Sequence, residues 1–213
     1  MKKLYFFSGL GADYRAFQKL DLSGFKGVHI DWIPTIKKES IASYATRLLE
    51  QIECEKPLLI GLSFGGIIAV EVAKQMETEK VILISSAKNK NEIPKLYRIA
   101  GSIGLDKIIP LSVLIKMKTV NEWFFGIKNP SDKQLLLEIL RDTDLLFLRW
   151  AINKIVNWNN FEIPKNCIHI HGEKDRILPL RNCKYDYKIE NGGHFMVVNK
   201  NQEINQLLKR VLC

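Results

Sequence analysis

Two hydrophobic patterns alternate along the first part of the chain. Short unbroken apolar runs read as strands, and runs with apolar positions three and four apart read as helices. Leu4 to Phe7 is the first apolar run and meets Ser8-Gly9-Leu10-Gly11. Tyr14, Phe17 and Leu20 then repeat with helical spacing over Asp13 to Leu20. Val28 to Ile33 is the next strand, closed by Pro34. Ser40 is placed as the N-cap of a helix whose apolar face holds Ile41, Tyr44, Ala45, Leu48, Leu49 and Ile52. Leu58 to Ile60 is a buried strand behind Pro57, and the apolar run after Gly65 is helical. Val81 to Ser86 is a further strand. Strands this uniformly apolar are covered on both faces, which predicts a parallel sheet between layers of helices.

The alternation stops between residues 87 and 160, where no strand is predicted. Leu96, Ile99, Ala100 and Ile103 suggest a short helix, and Ser131 with Gln134 reads as a capping box at another helix start. Leucine and aromatics are dense from Leu145 to Val156, and the segment holds Trp123, Trp150 and Trp158. Strands resume at Cys167 to His171 and at Tyr185 to Ile189. Ile204, Leu207, Leu208, Val211 and Leu212 give the face of a last helix. The predicted fold is α/β: a doubly wound, six-stranded, mostly parallel sheet in one domain over 1–213, with a helical insertion at 87–160.

Composition narrows the function only a little. Of 213 residues, 46% are hydrophobic and 26% charged, an ordinary globular balance. No apolar stretch approaches the ~20 residues of a membrane span, so no stable membrane insertion is expected. The opening Met-Lys-Lys and Leu4 to Phe7 are too short for a signal peptide and read as the first strand. Cys54, Cys167, Cys183 and Cys213 show neither C-x-x-C spacing nor clustering with histidine, which suggests a reduced, cytoplasmic chain without a metal. The net charge of +9 comes from scattered lysines rather than a stripe, so nucleic acid is not expected as a partner.

The chemistry begins at Gly61-Leu62-Ser63-Phe64-Gly65-Gly66, which matches G-x-S-x-G between a strand and a helix. Such a turn lifts the serine above the C-terminal edge of the sheet, and Gly61, Gly65 and Gly66 let the backbones close around it. Ser63 needs a base, and the base needs an orienting acid. His194 follows Gly192-Gly193 directly after the last strand and is the predicted base. His29 and His169 lie within apolar strands and are expected to pack. His171 is given a structural role near Asp175. Asp175, in the loop after the penultimate strand, is the predicted acid; Glu173, Asp186, Asp142 and Asp144 are its rivals. The order serine, aspartate, histidine is that of α/β-hydrolases. The two oxyanion donors are expected to be the amides of Phe64, next to the serine, and Leu10, in the loop after the first strand.

With these elements in register the sequence resembles the α/β-hydrolase superfamily, and looks like one of its small bacterial members. The resemblance rests on Ser8-Gly9-Leu10-Gly11, Gly61 to Gly66, Gly172 to Pro179 and Gly192 to Phe195, and covers residues 1–86 and about 163–213. It implies strand order 2-1-3-4-5-6 and makes 87–160 the lid. Two departures stand out: Ser8 replaces the histidine frequent in the oxyanion loop, and the two opening antiparallel strands are missing. The expected function is hydrolysis of a small carboxylic ester or thioester through an acyl-enzyme, without metal or organic cofactor. C–C bond cleavage by the same triad, and a ligand-sensing or scaffold protein on the same fold, are the alternatives. Trp123-Phe124-Phe125 and Met117 either line an acyl pocket or pack the insertion onto the core. Oligomeric state is not set by the sequence.

Overall fold

The structure is a computed structural model and describes residues 1–104, 110–114 and 116–212. Part of the expected insertion and Cys213 therefore lie outside the described residues. Six strands form one sheet: β1 (Lys2–Phe7), β2 (Phe25–His29), β3 (Leu58–Leu62), β4 (Lys80–Ile84), β5 (Cys167–Gly172) and β6 (Tyr187–Ile189). Their order is β2-β1-β3-β4-β5-β6, and every neighbouring pair is parallel. Both the fold class and the strand order read from the sequence hold.

The sheet has two buried faces because Leu4–Phe7, Leu58–Leu62 and Val81–Ile84 are near-continuous apolar runs, and alternate side chains enter opposite layers. Leu4, Phe6, Ile60 and Ile82 join one core, with Val197, Ile204 and Leu208 from α8 (Met196–Asn199) and α9 (Asn201–Leu212). Tyr5, Phe7, Leu59 and Leu83 join the other, with α1 (Ile41–Leu48) and α2 (Phe64–Ala73). Between β4 and β5 run α3 (Lys95–Ser102), α4 (Leu111–Leu114), α5 (Lys118–Phe125), α6 (Pro130–Arg141) and α7 (Leu145–Val156).

Four local expectations are corrected. Asp13 to Leu20 holds only a 3₁₀ turn at Tyr14–Phe17, capped by Asp13, which accepts from the Arg15 amide. The three-residue spacing of Tyr14, Phe17 and Leu20 suits a 3₁₀ turn, where such residues eclipse. The second strand spans Phe25–His29 rather than Val28 to Ile33. Its last apolar residues leave the sheet because Tyr44 claims them: the Tyr44 hydroxyl donates to the Ile33 carbonyl and accepts from its amide, both at 2.9 Å. The cap of α6 is Asn129, with Pro130 in the first turn, and not Ser131. The last strand begins at Tyr187, so Asp186 lies before it and not within it. Ser40 caps α1 as expected.

The end of α7's connection to the sheet is anchored by a buried polar bond. The Trp158 indole N–H donates to Glu71 Oε1 at 2.7 Å, and Lys74 pairs with the other carboxylate oxygen at 3.0 Å. Glu71 is 3% exposed, so it depends on these donors. Trp158→Phe keeps a smaller aromatic ring but removes one of them. It is expected to lower stability by about 1–3 kcal/mol, read as a drop of several degrees in thermal midpoint.

Candidate active site

β1 and β3 are neighbours whose connections leave toward opposite edges of the sheet, to β2 and to β4. A crevice opens above such a switch point, at the C-terminal ends of the strands. Ser63 stands there between β3 and α2, with φ 51° and ψ −118°. That left-handed geometry is costly for a residue with a side chain and must be held by its surroundings. Its amide donates to the Ile84 carbonyl at 3.0 Å, and its carbonyl accepts from the Ser86 hydroxyl at 2.6 Å.

The flanking glycines are where side chains cannot fit. A Cβ on Gly65 would lie 2.1 Å from the Phe7 carbonyl oxygen, and one on Gly61 would lie 2.4 Å from the Gly66 Cα. One on Gly66 would lie 2.2 Å from Ser86 Oγ. β1, β3 and α2 therefore meet backbone to backbone, which brings the loop after β1 against Ser63.

Ser63, His194 and Asp175 converge as expected. His194 Nε2 lies 2.8 Å from Ser63 Oγ, and its Nδ1 lies 2.8 Å from Asp175 Oδ2. The ionised carboxylate can only accept, so Nδ1 carries the proton and Nε2 presents a lone pair to the serine hydroxyl. Asp175 Oδ1 accepts from the amides of Ile177 and Leu178 at 2.9 and 2.8 Å. Burial alone would raise the Asp175 pKa, but the charge and hydrogen bond of His194 outweigh it and hold the carboxyl below its ordinary value.

The rival carboxylates are occupied elsewhere. Asp144 caps α7 through the amides of Leu146 and Phe147, and Asp142 pairs with Arg15. Glu173 accepts from the Asn191 amide. Asp186 takes the His169 amide and Lys88.

The loop after β1 is closed by Ser8, whose buried hydroxyl donates to the Ala12 carbonyl at 2.7 Å, while the Ala12 amide donates to the Gly9 carbonyl at 3.0 Å. A Cβ on Gly9 would be 3.4 Å from Ser63 Cβ. Leu10 sits in this loop, and among the described residues its amide donates to no backbone carbonyl. Phe64 opens α2, so its amide is one of the N-terminal donors that a helix leaves unpaired. Its ring is fixed by Trp32 and Phe147, with centroids 5.5 and 6.1 Å away.

Above Ser63 and His194 lies a cleft of ≈ 320 Å³. Leu10, Val120, Phe124, Phe125, Leu148 and Ile152 are among its walls. Trp123 does not line it: it is exposed, with Arg176 over its ring at 4.3 Å and donating to its carbonyl at 2.6 Å. Met117 is exposed and stands outside it as well. The C-terminal end of α5 is joined to the histidine loop. The Phe195 amide donates to the Phe125 carbonyl at 3.1 Å, and the Asn199 amide group donates to the Gly126 carbonyl at 3.1 Å. A Cβ on Gly193 would lie 2.8 Å from the Gly126 Cα.

Ser86 and the part played by His169 were missed by sequence reasoning, whereas His171 takes the structural place near Asp175 expected of it. Ser86 braces Ser63. His171 Nε2 donates to the Leu178 carbonyl at 2.8 Å and closes the loop that carries Asp175; its Nδ1 lies 2.9 Å from His169 Nε2. Both rings are fully buried, and Glu92 approaches His169 at 3.8 Å. A polar residue at the end of an apolar strand was the available signal. His29 instead sits at the edge beside Asp31.

Similarity to known proteins comes from structure. Neither a family model nor a curated protein matches the sequence. A meta-cleavage product hydrolase from Pseudomonas fluorescens superposes with a TM-score of 0.70 at 13% identity, over 100% of this chain and 90% of that one. An esterase from Exiguobacterium antarcticum gives 0.65 at 15% identity, over 100% and 92%. The 2-hydroxy-6-oxo-6-phenylhexa-2,4-dienoate hydrolase of a Rhodococcus strain gives 0.69 at 17%, over 99% and 90%. The chain thus has the α/β-hydrolase fold.

Burial, then the neighbouring positive charges, holds His169 far below the ordinary imidazole pKa; burial also lowers His171, against the pull of Asp175. A histidine depressed on folding binds its proton more readily unfolded. Its contribution is therefore complete above pH ~6.5 and declines as the pH falls below that value. The unfolding free energy is expected to be level above neutrality and to fall between pH 6.5 and 5, by up to about 1.4 kcal/mol per pH unit for each ring, with the thermal midpoint falling alongside it. A level profile across that interval would show that the rings keep their protons on folding.

Proposed function

We propose that the chain is a serine hydrolase acting on a small carboxylic ester or thioester through an acyl-enzyme. The observation that carries this reading is the hydrogen-bonded line Asp175–His194–Ser63, with both contacts at 2.8 Å, ending beneath an apolar cleft. Ser63 Oγ attacks the substrate carbonyl as His194 takes its proton. Asp175 keeps the imidazole in the required tautomer and stabilises the imidazolium. The amides of Leu10 and Phe64 receive the oxyanion, with the N-terminus of α2 adding its positive end. His194 then passes the proton to the leaving group and draws one from water for deacylation. This chemistry needs only groups of this chain.

We read residues 1–213 as one domain and the helices of 87–160 as a lid, because Leu111, Phe124, Leu140 and Leu148 from those helices wall the cleft over Ser63. A cytoplasmic setting fits Cys54, Cys167 and Cys183, which are free thiols. The other reading, cleavage of a C–C bond, for which a neighbour named as a dienoate hydrolase offers a substrate type, is less well supported. Among the described residues the cleft offers no lysine or arginine to a substrate carboxylate.

Ser63→Ala is expected to reduce turnover of a 4-nitrophenyl ester at least ~10³-fold without changing the thermal midpoint. A fluorophosphonate should label Ser63 in the parent protein and label it far more slowly after His194→Ala. Undiminished turnover by Ser63→Ala would end the proposal. Asp175→Asn leaves the shape intact but frees the imidazole tautomer, and a loss on the order of 10⁴ in kcat is expected.

A further inference from the structure

Two properties of the cleft bear on its occupant, its charge and its size. Val120, Phe124, Leu140, Leu148, Ile152 and Phe195 make its walls from the α5, α6, α7 and histidine-loop sides. Asn121 is the single polar side chain among its described lining residues other than Ser63 and His194. The chain carries a net +9, yet none of its lysines or arginines is among those lining residues. Arg176, beside the acid, is turned away onto the Trp123 ring and carbonyl. A carboxylate carried into these walls would lose water and gain no cation among the described lining residues, which is strongly unfavourable. An aliphatic chain would instead gain from each methylene it buries.

Size sets the other limit. At ~30 Å³ for each water-sized group, a cleft of ≈ 320 Å³ holds about ten such groups. The ester carbonyl and the leaving oxygen take part of that space and leave room for about eight carbons. We propose that the site accepts an uncharged aliphatic acyl chain of this medium length and rejects acyl groups that end in a carboxylate. This rests on the serine-hydrolase reading and adds the substrate class to it.

The test is a series of 4-nitrophenyl esters from acetate to palmitate, assayed below their aggregation limits, together with the mono-4-nitrophenyl ester of octanedioic acid. kcat/KM is expected to rise up to about fourfold per methylene, to peak near octanoate and to gain nothing beyond it. The octanedioic monoester, equal in length but charged at its end, is expected to be at least ~100-fold poorer than octanoate. Val120→Trp fills part of the cleft and should move the optimum to a shorter chain. A profile flat or falling from acetate, or equal rates for the charged and uncharged chains, overturns the substrate class. Fluorophosphonate labelling of Ser63 is run beside the series: labelling with a flat profile rejects this inference alone, whereas no labelling and no ester turnover rejects the hydrolase reading and this inference together.

Discussion

Where β3 turns into α2, three stretches of backbone approach more closely than any side chain allows. Gly65 lies against the carbonyls of Phe7 and Ser8, and Gly61 against Gly66. Everything at the site follows from that contact. It forces the turn at Ser63 into a positive φ, and it draws the loop after β1 beneath the same serine. It also directs the unpaired amides at the start of α2 toward the serine's surroundings. A serine on a relaxed turn would have neither the exposure nor the neighbouring donors.

That strain is held by ordinary means. The amide and carbonyl of Ser63 are tied to Ile84 at the end of β4 and to Ser86 just beyond it. Phe64 buries its ring among Trp32 and Phe147, so the residue beside the serine is fixed by packing. The acid is held in a similar way. The Asp175 carboxylate receives two amides from its own loop, and His171 fastens that loop at Leu178. The His171 ring in turn rests against that of His169, two residues earlier on the same face of β5.

The parts legible in the sequence were those with a local signature. Uniformly apolar strands indicated a parallel sheet, and glycines around Ser63 and before His194 marked close approaches. Asp175 was legible from its place after a strand. The residues that went unread act at a distance along the chain. Ser86 looks like any strand-end serine until Ser63 is set beside it, and His169 looks like a packing residue until His171, whose place near Asp175 was legible, is found resting on it. Trp32 and Ile33 were misread for a related reason. Their apolar run resembles a strand, but Tyr44, eleven residues beyond Ile33, supplies better partners for that backbone than the sheet edge does. The aromatic run Trp123-Phe124-Phe125 divides in two because a helix turns successive side chains to different faces: Phe124 and Phe125 reach the cleft while Trp123 meets Arg176.

The joint between α5 and the histidine loop bears on how the cleft can widen. Phe125 and Gly126 hold Phe195 and Asn199 by hydrogen bonds, and Gly126 touches Gly193. If α5 swung outward as a hinged flap, it would pull on the backbone either side of His194 and draw the imidazole off Ser63. The histidine stays in register only if that helix end remains fixed while the cleft admits its occupant. The wall from α7 is coupled to the site in another way, through packing: Phe147 lies on Trp32 and Phe64 beside Ser63. The end of α5 thus acts as a fixed jamb, and the doorway admits its occupant without that side moving.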